Sequence, residues 1–234
     1  MSSGRWESID TREHQIVKQD WGSERERQVT VKAGEVGLHG LLGVPEKAEG
    51  VVLFAHGSGS GRLSPRNTFV AHTLQEGGLA TLLLDLLEEE EAGDRRKVFD
   101  IDLLAERVLI VTDWLTKDPR TRGMKVGYFG ASTGAGAALQ AAARSPTCVA
   151  AVVTRGGRPD LASDYLSKVT APTLLIVGGN DAPVIQMNQE ALALLACPKE
   201  LVIVPGASHL FEEPGTLEQV ADLARRWFQR HLQN

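Results

Sequence analysis

Apolar and polar positions along the chain fall into two rhythms. Residues 28–32 and 36–43 alternate in polarity around Ala33-Gly34-Glu35 and are rich in β-branched side chains, the pattern of an antiparallel hairpin, and Pro45 closes the second strand. Beyond it, continuous apolar runs at 50–55, 79–85, 124–129, 148–154, 173–177 and 201–204 predict strands buried on both faces. The intervening segments 67–76, 99–116, 133–144, 184–196 and 217–232 read as helices. Strands alternating with helices after an initial hairpin predict an α/β fold. Its central sheet is mostly parallel with an antiparallel N-terminal edge hairpin, and helices cover both faces. The acidic run Glu88 to Glu91 reads as a solvated loop. Residues 1–27, with charges of both signs and Trp6, Ile9, Ile16, Val17 and Trp21 loosely spaced among them, read as an N-terminal polar extension before a single domain at 28–234.

At 234 residues with 42% hydrophobic content, the chain suffices for one sizeable core. Lys and Arg number 25 and Asp and Glu 30, a net charge of 25 − 30 = −5, so there is no basic field to draw nucleic acid or an anionic membrane. Cys148 and Cys197 lie in apolar sequence without C-x-x-C or metal-ligand spacing, which predicts two buried free thiols and a reducing compartment. The charged N-terminus has no apolar run of the signal-peptide kind, and no segment approaches membrane-spanning length. The expectation is a soluble cytoplasmic protein needing no cofactor or metal. Its oligomeric state is left open, a homodimer among the options.

The chemistry concentrates where strands end. Gly130-x-Ser132-x-Gly134 lies between the strand at 124–129 and a helix of mostly Ala and Gly, the layout of a nucleophile elbow. In a parallel sheet the C-terminal strand ends share one edge, and ligands bind there. Ser132, Asp181 and His209 each follow a buried strand, and that order, Ser then Asp then His, is the one an α/β-hydrolase arrangement requires. Asp181 would fix the His209 tautomer so that the ring takes the proton of Ser132. The plainer readings are a helix N-cap or turn residue for Asp181 and a surface histidine for His209. Of six histidines only His56 and His209 fall at this edge, and Asp85 is a reserve acid. The backbone N–H groups of Thr133 and Ser58 are the candidate oxyanion hole, with Gly59 as alternative to Ser58. Gly57-x-Gly59-x-x-Arg62 lacks the third glycine of a dinucleotide fingerprint, and no Gly-Lys-Ser/Thr follows, which argues against a nucleotide. Gly59, Arg62, Arg66 and Arg155 are the substrate-binding candidates, and Arg158 is a further arginine at the edge.

These motifs resemble those of the α/β-hydrolases, and within them the dienelactone-hydrolase-like branch. The resemblance runs from about Val29 to the C-terminus and rests on Phe54-Ala55-His56-Gly57-Ser58-Gly59-Ser60, the elbow, Gly178-Gly179-Asn180-Asp181 and Gly206-Ala207-Ser208-His209. It implies the α/β-hydrolase fold without a large cap domain, and hydrolysis of a small-molecule ester or lactone through an acyl-enzyme. The dienelactone hydrolases proper carry a cysteine nucleophile where this chain has Ser132, a departure that bears on dienelactone as substrate and leaves general esterase chemistry in place. Amide or peptide hydrolysis on the same fold and a non-catalytic binding module are the alternatives.

Overall fold

The computed structural model describes residues 26–233, so the predicted extension lies outside the described residues except for Glu26 and Arg27, which begin the first strand. In chain order the elements are β1 (Glu26–Ala33), β2 (Val36–Gly43), β3 (Gly50–Ala55), α1 (Pro65–Glu76), β4 (Leu79–Leu84), α2 (Glu89–Ala92), α3 (Arg95–Val98) and α4 (Ile101–Lys117). They continue with β5 (Lys125–Ala131), α5 (Thr133–Arg144), β6 (Val149–Arg155), a 3₁₀ turn (Pro159–Ala162), α6 (Ser163–Leu166), β7 (Thr173–Gly178), α7 (Ala182–Leu194), β8 (Lys199–Val204) and α8 (Thr216–Leu232).

The eight strands form one sheet in the order β1-β2-β4-β3-β5-β6-β7-β8. β2 runs antiparallel to both neighbours and every other pairing is parallel, so the ends of β3 through β8 open on one edge. This is the α/β-hydrolase fold. Strand alternation divides the core into two layers. Val51, Leu53 and Ala55 of β3 face α4 and α5, with Leu104, Val108 and Ala138. Val52 and Phe54 face α1 and α8, with Val70, Leu74 and Phe228. Such period-2 alternation within an entirely apolar strand is what a sheet covered on both faces demands.

Two expectations fail. The acidic run is no solvated loop: Glu89–Ala92 is a helical turn whose Glu91 is buried, accepting from Arg107 Nη1 at 2.6 Å, Arg107 Nη2 at 2.9 Å and Lys97 Nζ at 2.8 Å. The Arg107 guanidinium is the main reason its carboxyl titrates at about 2. Glu88 also accepts the Gly37 N–H at 2.9 Å, tying this turn to β2. Cys148 is exposed, because it lies in the turn before β6 rather than inside the strand, whereas Cys197 is buried; both are free thiols.

Candidate active site

β5 turns into α5 at Ser132, whose φ of 50° and ψ of −121° place a non-glycine residue in strained backbone. The turn is tight enough that a Cβ on Gly130 would sit 2.6 Å from Ala135 Cα, and one on Gly134 would overlap the Ala55 carbonyl. Only glycine lets α5 approach β3 this closely. On the other side, a Cβ on Gly57 would lie 2.8 Å from Ser132 Cβ, so the loop after β3 rests directly on the serine. Ser132 N–H donates to the Arg155 carbonyl at 3.3 Å, fixing the elbow against the end of β6.

Asp181 is the N-cap of α7, yet it makes no capping hydrogen bond. Its Oδ2 lies instead 2.6 Å from His209 Nδ1. A carboxylate facing Nδ1 requires the proton there, which leaves the Nε2 lone pair free to accept one. The two loops are locked together behind the pair: Asn180 N–H donates to the Ala207 carbonyl at 2.9 Å and Asn180 Nδ2 to the Gly206 carbonyl at 2.8 Å. Glu213 Oε2 accepts the Ser208 N–H at 2.9 Å, a bond that lowers the Glu213 pKa and anchors the histidine loop from its far side. A Cβ on Gly156 would touch the His209 ring at 3.4 Å, so the ring lies over the end of β6, beside the Arg155 carbonyl that holds Ser132. Asp181 and His209 are thus brought together. Ser132 occupies the adjoining strand end.

The remaining candidates separate. His56 is spent on structure: Nε2 accepts the Leu86 N–H at 3.0 Å, so Nδ1 carries the proton given to the Gly57 carbonyl at 2.9 Å, and burial lowers its pKa. Asp85, the reserve acid, accepts from the Arg62 backbone at 2.6 Å and pairs with the Arg62 side chain. Ser58 N–H donates to Thr133 Oγ1 at 3.0 Å, while Gly59 is exposed with φ of 70°. Ser58, Gly59 and Thr133 line a cavity of about 640 Å³ together with Arg62, Asp85, Leu87 and the acidic turn. Arg158 pairs with Asp160 at 2.7 Å. Arg155 is buried and Arg66 half-buried, and neither lines that cavity. The spent ring of His56 is a tertiary fact that strand-end counting does not reveal.

The profile of the dienelactone hydrolase family matches residues 38–233. The chain belongs to this family. Dienelactone hydrolase from Anabaena variabilis is 60% identical over 89% of this chain and 98% of its own, with a TM-score of 0.87. Est1E from Butyrivibrio proteoclasticus, 17% identical over 87% of this chain and 98% of its own at a TM-score of 0.75, shares the fold. A protein of Mycobacterium tuberculosis provisionally named phosphoribosyl transferase is 60% identical over 208 residues. That match covers 89% of this dienelactone hydrolase family member, which spans only 47% of the relative's length. Family membership and the shared fold place the chain among the α/β-hydrolases. Among the described residues, no helix is long and apolar enough to cross a membrane.

Proposed function

We propose that the protein is a serine hydrolase that cleaves carboxylic esters, thioesters or lactones of small molecules through an acyl-enzyme on Ser132. The observation that carries this reading is the diversion of the Asp181 carboxylate from its own helix to His209 Nδ1, on the sheet edge where Ser132 is held in strained backbone. A carboxylate that merely capped α7 would bond the helix amides.

In the reaction, Ser132 Oγ attacks the acyl carbon and passes its proton to His209 Nε2, while Asp181 stabilises the imidazolium. The carbonyl oxygen becomes an oxyanion held by the Thr133 N–H, a free first-turn amide of α5, and by the Ser58 N–H once the Thr133 hydroxyl releases it. Collapse breaks the acyl–oxygen or acyl–sulfur bond, and His209 returns the proton to the leaving group. Water then repeats the sequence on the acyl-enzyme, freeing the acid and restoring Ser132.

Replacing the nucleophile tests this. Ser132→Ala is expected to remain folded and to lose ester turnover by roughly 10³-fold or more. Near-normal turnover by the folded variant would overturn the assignment.

A further inference from the structure

We propose that the cavity beyond Ser58 takes the acyl group of the substrate, and that this group is an uncharged apolar chain or ring. The proposal deepens the hydrolase reading above and rests on it. Its direction follows from the sheet order, in which β5, whose end carries Ser132, stands between β3 and β6. His209 lies over the end of β6, whereas the cavity is lined by the loops after β3 and β4, on the other side of β5. In the tetrahedral intermediate the acyl carbon bears Ser132 Oγ, the oxyanion at the Ser58 and Thr133 amides, the leaving atom and the acyl chain. His209 must reach the leaving atom to return its proton, so the leaving group lies on the β6 side. The acyl chain is left to the β3 side, where Ser58 and Thr133 both line the cavity.

The walls suit such a group. Leu86, Leu87, Val98 and Leu104 give the cavity apolar surface, and its volume of about 640 Å³ is that of a small-molecule pocket. The wall after β4 is held from two sides: His56 Nε2 accepts the Leu86 N–H at 3.0 Å, and Arg107 Nη1, itself bonded to Glu91, donates to the Leu86 carbonyl at 2.7 Å. Leu86 and Leu87 are therefore set in place before a substrate arrives. Charge decides the rest. Arg62 is the lining guanidinium and Asp85 matches it, while Glu88 is taken up by the Gly37 N–H. Glu89 and Glu90, both exposed, add carboxylates at the mouth. An acyl chain ending in a carboxylate would meet these like charges and give up its hydration against leucine side chains, a cost that an uncharged chain does not bear.

The test uses three esters: methyl hexanoate, its isomer pentyl acetate, which carries the chain on the alcohol side, and monomethyl adipate, which ends the same acyl chain in a carboxylate. Each buried methylene favours the longer acyl chain about 4-fold, so the wild type is expected to show kcat/KM at least about 10-fold higher for methyl hexanoate than for pentyl acetate. A margin of at least about 10-fold over monomethyl adipate is expected as well. Val98→Trp and Ala92→Trp, which fill the cavity, should each bring the ratio between the two isomers to within about 3-fold of unity, and Glu89→Gln with Glu90→Gln should narrow the margin over the adipate. A wild-type ratio near or below unity on the isomers, or equal losses on both in the Trp variants, would overturn the acyl assignment. Adipate turned over as fast as hexanoate would overturn the exclusion of charge. Should Val98→Trp fail to fold, Ala92→Trp decides, since Ala92 is exposed. Fluorophosphonate labelling of Ser132, run in parallel, separates the two claims: labelling without the isomer preference overturns the acyl pocket alone, and absence of labelling overturns the hydrolase reading beneath it.

Discussion

On the α4 flank of Ser132, Arg107 is 5% exposed and meets Glu91 through two hydrogen bonds at 2.6 and 2.9 Å, while Arg62 nearby is matched by Asp85. On the α1 flank, Arg155 is almost as buried at 9%, and among the described residues no carboxylate reaches it. The same residue type at the same depth thus meets opposite surroundings in one domain. A matched guanidinium is explained by the fold it holds together. An unmatched one raises the energy of the folded chain.

Between the flanks, Asp181 and His209 form a pair that the account assigns to chemistry rather than to stability, and here the largest effect is expected. Asp181→Asn keeps the shape but not the charge, and should lower kcat by up to about 10⁴-fold with little change in melting temperature. A loss under about 10-fold would place Asp181 with the structural pairs.

Next in size is Glu91→Gln, which leaves Arg107 buried and unmatched. The expected cost is about 3–5 kcal/mol, or a drop in Tm of roughly 10 °C, measured by calorimetry. An unchanged Tm would erase the distinction between the flanks.

Acid titration probes the same pair. Glu91 titrates at about 2 in the folded protein against an ordinary 4.5, so its contribution is complete above pH 4.5 and is lost as pH falls toward 2. Chemical denaturation across this range should show less pH dependence in Glu91→Gln than in the wild type.

The smallest effect belongs to the unmatched flank: Arg155→Met should leave Tm unchanged or raise it by a degree or two, because an isolated buried charge is replaced by an apolar chain of similar length. A fall as large as that of Glu91→Gln would show that Arg155 is structural.

Much of this was legible from the chain. Val36–Gly43 and Thr133–Arg144 match the expected strand and helix residue for residue, since alternation and a run of small residues are local signals. α1 begins at Pro65 rather than 67, where Ser-Pro supplied an unused start signal. The acidic turn was misread because Arg107, which makes Glu91 a core residue, lies 16 positions away on another helix. The edge placement of Ser132, Asp181, His209 and Arg155 follows from strand ends alone. Whether each acquires a partner does not, since only tertiary packing gives Ser58 N–H the Thr133 hydroxyl and leaves Arg155 Nη1 without an acceptor among the described residues.

The central claim is that Ser132 is the attacking group, and mass spectrometry of the protein treated with a fluorophosphonate tests it most directly. The account predicts a single adduct on the peptide carrying Ser132, absent in Ser132→Ala and formed far more slowly in a folded His209→Ala variant. An unmodified Ser132, or an adduct on another residue that accompanies loss of ester turnover, would contradict it.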